Sequence, residues 1–131
     1  MTKADIIHHL QIRLPNLLAV YAFGSRISGT ARPDSDLDLA ILVAGHADPV
    51  ELFNMAGELA DISRCPVDLL DLRAASTVMQ YQVITTGQRW WAADGQAALY
   101  EVFILSEKTR LNEARAGLLA DIKQRGSVYG R

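Results

Sequence analysis

The sequence has little of what disulfide-bonded, membrane-spanning or nucleic-acid-coating proteins require. Its 131 residues include a single cysteine, Cys65, which excludes an internal disulfide and indicates a reducing compartment. The 13 basic and 15 acidic residues give a formal net charge of −2, so the composition provides no basic surface for extended nucleic-acid binding. No stretch approaches membrane-spanning length, and the N-terminal segment lacks the apolar core of a signal peptide. We therefore expect a soluble, cytoplasmic protein that does not contact membranes.

The length and the apolar content suit one globular domain. Half of the residues are hydrophobic and 21% are charged, which is ordinary for a soluble domain. Helical and extended patterns alternate along the chain, so we predict an α/β (α+β) fold with a small sheet, flanking helices and a long C-terminal helix. Within a single domain over 1–131, we expect a core over about 1–93 and a helical tail over about 94–126. The predicted helices are 3–14, 49–63, 74–86 and 94–126, and the predicted strands are 17–23, 37–43, 66–72 and 89–92.

Two aspartates stand at the start of an otherwise apolar strand, in the segment DLDLAILV. Alternate residues of a strand share a face, so Asp36 and Asp38 point to the same side as Ala40 and Leu42. Two carboxylates this close repel each other and raise each other's pKa. A divalent cation between them relieves the repulsion, and magnesium prefers oxygen ligands. The pattern therefore indicates a metal site, and a solvated strand end near a turn is the alternative.

A Gly-Ser pair at the end of the preceding strand favours the metal site. Gly24 lets the backbone approach a ligand closely, and the amides that follow can surround phosphate oxygens, to which Ser25 adds a hydroxyl donor. Arg26 and Arg32 can add positive charge, with exposed surface arginine as the alternative for both. A phosphate-binding turn beside two carboxylates predicts phosphoryl or nucleotidyl transfer.

A third carboxylate is available in the segment CPVDLLDL. Asp68 and Asp71 lie on opposite faces of the predicted strand 66–72, so only one of them can join Asp36 and Asp38. We predict Asp68, because it comes early in its strand, as Asp36 does in its own. Asp71 comes at the strand end, where an aspartate commonly begins a turn or caps the next helix.

The spacing of these residues resembles a known signature. Gly24-Ser25, ten residues and then Asp36-Leu37-Asp38 form a GS-x10-DxD pattern, which is similar to that of the DNA polymerase β-like nucleotidyltransferase superfamily. The short chain resembles the minimal nucleotidyltransferases, and in particular the MntA-type antitoxins of HEPN/MNT toxin–antitoxin pairs. The run VDLLDLRAAST is similar to the segment that carries the third carboxylate in that subfamily. The resemblance covers roughly residues 17–86.

The resemblance implies a fold, a cofactor and a reaction. It implies a polymerase β palm-like fold with a small mixed sheet, magnesium held by Asp36, Asp38 and Asp68, and ATP seated on Gly24 and Ser25. It further implies that AMP is transferred from ATP to a hydroxyl, expected to be a tyrosine, of a cognate HEPN ribonuclease toxin, which is thereby neutralised. Two alternatives remain: an antitoxin that acts by binding and occlusion without catalysis, and a small-molecule nucleotidyltransferase completed by a second subunit.

The tail carries more apolar residues than a small sheet needs for its cover. Leu99, Val102, Phe103, Leu111 and Leu118 fall on more than one stripe of the predicted helix. We expect this helix to dock a partner protein, and the alternative is that it only closes the core.

Overall fold

The structure of this protein is a computed structural model that describes residues 3–29 and 36–124. Its strands are β1 (Leu17–Phe23), β2 (Leu37–Val43), β3 (Val67–Asp71) and β4 (Gln88–Ala92). Its helices are α1 (Lys3–Arg13), α2 (Ser25–Ser28), α3 (Pro49–Ser63), α4 (Thr77–Thr86) and α5 (Gln96–Gln124), and a 3₁₀ turn spans Leu72–Ala74.

The predicted elements are present with small shifts of their ends. The bounds of β1, β2 and α3 are those predicted, and Asp48 caps α3 by accepting a hydrogen bond from the Val50 amide at 3.1 Å. The third strand is shorter than predicted, because Asp71 leads into the 3₁₀ turn. Helix α4 begins correspondingly later, after Ser76 caps it by accepting from the Met79 amide at 3.2 Å. The predicted end of the tail near Gly126 lies outside the described residues.

The four strands form one mixed sheet in the order β3-β2-β1-β4. Strand β1 runs antiparallel to both β2 and β4, whereas β2 and β3 are parallel. The predicted small mixed sheet with flanking helices is therefore confirmed. In the part of the chain that the structure describes, β3 lies at one edge of the sheet.

The sheet is covered on both faces, and strand β2 is apolar on both. Its odd-numbered side chains, such as Leu39, pack in one core cluster with Leu10 of α1 and Leu59 of α3. Its even-numbered side chains, such as Leu42, pack in a second cluster with Val83 of α4. Asp38 is also even-numbered, so its carboxylate lies on the face covered by α4 and α5, at the end where β2 begins.

Helix α5 is fixed to the sheet through its first turns. The Tyr21 hydroxyl of β1 and the Arg89 guanidinium of β4 each donate to the same carboxylate oxygen of Glu101, both at 2.8 Å. Burial, together with the bond to Glu101, raises the pKa of Tyr21 well above its usual value. From Thr109 to Gly117 every residue is exposed, so this part of the helix extends past the domain.

The first turns of α5 also carry exposed apolar side chains. Leu99 is 72% exposed, Val102 61% and Phe103 55%, while Ile104 on the packed face is 2% exposed. The expected apolar surface on the tail is therefore present. No helix among the described residues has both the length and the apolar character needed to cross a bilayer.

Candidate active site

The site is built where β1 ends and β2 begins. The antiparallel register places Phe23, the last residue of β1, opposite Asp38. The next residue, Gly24, has φ +82° and ψ −163°, a conformation that is essentially restricted to glycine. A Cβ atom on Gly24 would collide with the Asp38 carboxylate, lying 3.0 Å from its Cγ. Glycine is therefore required here both by the backbone and by the closeness of the carboxylate.

The parallel register of β2 and β3 brings the predicted third carboxylate beside Asp38. Asp38 and Asp68 are paired Cα partners, so their side chains lie on the same face of the sheet. Asp36 directly precedes β2 and is exposed. Burial raises the pKa of Asp38, and the negative charges of Asp68 and Asp36 raise it further. The structure thus gathers these three carboxylates at one end of one face, close enough for their charges to interact.

Asp71 is held away from this cluster and has a structural role. It is 3% exposed, and its two carboxylate oxygens accept hydrogen bonds from the amides of Ala47, at 2.9 Å, and Arg73, at 3.1 Å. The His46 Nδ1 atom lies 3.6 Å from the same carboxylate. Asp71 therefore ties the loop before α3 to the 3₁₀ turn, and the interpretation of Asp71 as a cap is confirmed.

The Gly-Ser pair opens a short helix that the sequence did not reveal. Ser25 is the first residue of α2, and the Ile27 amide donates to the Gly24 carbonyl at 3.1 Å. The turn therefore begins beside the carboxylate of Asp38. Arg26 lies in the same helix, whereas Arg32 lies outside the described residues.

The carboxylate cluster suits a divalent cation in its chemistry. Its donors are all oxygens, and the repulsion that raises the pKa of Asp38 is the kind that a bound cation removes. Within residues 3–29 and 36–124, however, no three acidic, histidine or cysteine side chains stand close enough together to hold a metal ion by themselves. Magnesium does not need such a set, since it commonly binds one or two carboxylates and fills its other positions with water and substrate phosphate oxygens.

A cavity adjoins the Gly-Ser turn on the face that holds Asp38. It has a volume of about 390 Å³ and is lined by Phe23, Gly24, Met79, Gln82 and Thr86. The three residues from α4 were not predicted from the sequence. Their spacing at i, i+3 and i+7 is the signal that places them on one side of a helix.

The fold and this site define a nucleotidyltransferase. The family described as Polymerase beta, Nucleotidyltransferase matches residues 5–95, which end just before α5. The chain belongs to this family, and the resemblance seen in the GS-x10-DxD pattern is confirmed.

The chain is also similar to a protein adenylyltransferase and to chains in toxin–antitoxin structures. The chain is 36% identical over 122 residues to the protein adenylyltransferase MntA of Shewanella oneidensis, covering 93% of this chain and 88% of that protein. It is similar to a chain in the crystal structure of a toxin–antitoxin with AMP-PNP, with 34% identity, a TM-score of 0.82, and coverage of 94% of this chain and 99% of that chain. It is also similar to a chain in the complex of the tri-AMPylated Shewanella oneidensis HEPN toxin with MNT antitoxin. The identity is 32%, the TM-score is 0.74, and the match covers 92% of this chain and 94% of that chain.

Replacing Gly24 by alanine is expected to displace the Asp38 carboxylate. We expect Gly24→Ala to lose nucleotidyl transfer by about a hundredfold or more, as when a positioned catalytic group is removed. Gly29→Ala is the control, because Gly29 also has a positive φ, +84°, but a Cβ atom there meets nothing within 4 Å. Activity and thermal melting of both variants are measured. Equal loss of activity in the two would show that backbone strain, and not the contact with Asp38, is what matters.

The raised pKa of Asp38 predicts a pH-dependent cost to stability. The folded-state pKa of Asp38 lies above the unfolded value of about 3.9, so ionised Asp38 destabilises the fold. Below the unfolded pKa the carboxyl group is protonated in both states, and there is no cost to stability. The cost develops as pH rises from the unfolded pKa through the folded-state pKa. In metal-free buffer at about pH 7, Asp38→Asn should therefore melt at a higher temperature than the unaltered protein. The gain should vanish below the unfolded pKa, and the exposed Asp61→Asn should show no gain. A lower melting temperature for Asp38→Asn at about pH 7 would contradict this account.

Proposed function

We propose that this protein is a magnesium-dependent adenylyltransferase antitoxin that transfers AMP from ATP to a tyrosine hydroxyl of a cognate HEPN ribonuclease toxin and so neutralises it. The observation that carries the proposal is the pairing of Asp38 with Asp68 beside Gly24, that is, two carboxylates next to the Gly-Ser turn. The similarity to an MntA protein adenylyltransferase and to a chain in the complex of a tri-AMPylated HEPN toxin with an MNT antitoxin supports the acceptor class.

Each residue of the site has a part in this reaction. Asp36, Asp38 and Asp68 would hold magnesium, which when bound neutralises the triphosphate and stabilises the charge of the departing diphosphate. The hydroxyl of Ser25 and the amides that follow Gly24 bind triphosphate oxygens. Asp68 accepts the proton of the acceptor hydroxyl while the hydroxyl oxygen forms a bond to the α-phosphorus. The bond from the α-phosphorus to diphosphate breaks in the same step.

The cavity beside Gly24 is the place for the nucleoside. Its position on the face of Asp38 lets a triphosphate run from the Gly-Ser turn while the adenosine lies against Met79 and Gln82 of α4. Its volume of about 390 Å³ is within the range of small-molecule sites. The proposal includes a cytoplasmic location, which fits the free thiol of Cys65 and the use of ATP.

The exposed apolar side chains of α5 are the surface on which the toxin docks. The family match ends at residue 95, so α5 is an addition to the shared nucleotidyltransferase domain. Apolar side chains as exposed as Leu99 and Val102, on a helix that extends past its own domain, are typical of a partner interface.

The roles of Asp68 and Asp71 can be separated by matched substitutions. Asp68→Asn should reduce transfer of label from α-labelled ATP to the toxin by roughly a hundred- to ten-thousandfold, since a positioned base is lost. Its melting temperature should stay near that of the unaltered protein, because the Asp68 side chain is exposed. Asp71→Asn should instead lower the free energy of unfolding by about 1–3 kcal/mol, because a buried amide loses its acceptor, and should keep most of the activity.

The opposite pattern, with activity lost in Asp71→Asn and kept in Asp68→Asn, would contradict the assignment. A tight complex of the unaltered protein with the toxin that never acquires label would show that neutralisation is by occlusion.

Docking by α5 predicts a loss of binding without a loss of folding. Val102→Glu should melt normally and bind AMP-PNP normally, yet weaken capture of the toxin by about tenfold or more, as at an interface anchor. Ile104→Glu is the matched control, because Ile104 is 2% exposed and a buried unpaired charge costs several kcal/mol, so this variant should unfold. Co-purification, calorimetry and melting are the measurements. If Val102→Glu and Leu99→Glu both fold and both bind the toxin with unchanged affinity, the interface lies elsewhere.

A further inference from the structure

A groove runs between helix α3 and strand β3 at the edge of the sheet. It has a volume of about 580 Å³, and its walls include Phe53, Ala56, Gly57 and Ala60 from α3 and Val67 and Asp68 from β3. We call it the β3 groove. Asp68 of the carboxylate cluster is among its lining residues, so the groove adjoins the strand that carries this carboxylate.

The backbone of β3 offers hydrogen bonds to this groove. The Leu37 amide of β2 donates to the Pro66 carbonyl at 2.9 Å, which shows that the backbone groups of Pro66 face β2. Because backbone groups alternate in direction along a strand, those of Asp68 also face β2, and those of Val67 and Leu69 face outward. An edge of this kind is a template for one more strand.

The wall of the β3 groove that helix α3 forms can accommodate a β-strand in close contact. Ala56, Gly57 and Ala60 are small, so a backbone or short side chain can approach α3 closely. Phe53 at the rim is 80% exposed, an apolar side chain without full cover. The groove therefore combines backbone partners on one side with an apolar surface on the other, which is the arrangement of strand-addition sites for extended peptides.

We propose that the β3 groove receives an extended segment of the acceptor protein as a fifth strand paired with β3. This inference rests on the proposed function, and it explains how the acceptor hydroxyl reaches the carboxylate cluster. A residue of the added strand that is paired with Asp68 lies on the same face as Asp68, so a tyrosine at that position projects toward the carboxylates. The residues before and after the tyrosine point to the opposite face, towards α3. The acceptor is therefore a tyrosine in an extended segment with small or apolar residues on both sides.

The groove can be filled without disturbing the core. A Cβ atom built on Gly57 meets nothing within 4 Å, so a large side chain there enters the groove and not the interior. Gly57→Trp should lower kcat/KM for transfer to the cognate HEPN toxin by about tenfold or more, as when a binding anchor is blocked. Gly57→Ala, which leaves the groove open, should retain activity. Both variants should bind AMP-PNP with unchanged affinity and melt at or above the temperature of the unaltered protein, since glycine is unfavourable within a helix.

Amide exchange tests the strand pairing itself and does not require catalysis. In the complex with the toxin, hydrogen exchange measured by NMR should slow by about tenfold or more at the outward amides of Val67 and Leu69. The inward amides of Asp68 and Leu70, which already face β2, should change much less. This alternation along a single strand is not produced by general stabilisation of the domain.

The outcomes separate this inference from the proposed function. Loss of transfer in Gly57→Trp together with alternating protection along β3 supports it. A complex that forms while Val67 and Leu69 exchange as in the free protein, or full transfer by Gly57→Trp, overturns the strand pairing and leaves the adenylyltransferase function standing. A dimer of this chain that Gly57→Trp dissociates would show that a second copy occupies the groove, which also overturns the inference. If the unaltered protein neither binds nor labels the toxin, the proposed function fails, and the inference fails with it.

Discussion

The structure depends on holding carboxylates together against their mutual repulsion. The parallel register fixes Asp68 beside Asp38, and the antiparallel register fixes the end of β1 against the same aspartate. Only a glycine at position 24 leaves room for the Asp38 carboxylate. The result is a carboxyl group with a raised pKa, whose ionised form costs stability. In the function we propose, a bound cation would relieve this cost.

The rest of the fold supports this arrangement from outside the site. Strand β2 is buried on both faces along most of its length, so its position is fixed by two core clusters. Asp71, whose two oxygens each accept a backbone amide, fixes the far end of β3 and therefore the register of Asp68. Helix α5 is attached through Glu101 to β1 and β4, which leaves its outer face available to another protein. Asp68 and Asp71, three residues apart in one strand, thus differ in their surroundings: Asp68 is exposed, and Asp71 is buried and accepts a hydrogen bond at each oxygen.

Much of the fold could be predicted from local patterns, and the remainder could not for physical reasons. Strands β1 and β2 are seven-residue apolar runs bounded by polar or turn residues, so their ends were predictable. The four-residue helix α2 is too short to show a helical period, and it was missed. Strand order and register depend on contacts between distant segments. The pairing of Asp38 with Asp68 could therefore be expected only from the alternation of side chains along each strand and from the resemblance to known nucleotidyltransferases. The approach of Asp38 to Gly24 and the contribution of α4 to the adjoining cavity needed the three-dimensional structure.

Paramagnetic broadening by manganese tests the central claim, that the carboxylate cluster beside Gly24 is the metal and triphosphate site. Mn²⁺ is added in small amounts to the isotope-labelled protein with AMP-PNP, and the loss of amide NMR signals is mapped along the chain. We expect the signals around Gly24, Asp38 and Asp68 to broaden first, and we expect Asp38→Asn to abolish this effect. Broadening centred on His46 and Asp71, or spread evenly over the acidic surface, would contradict it.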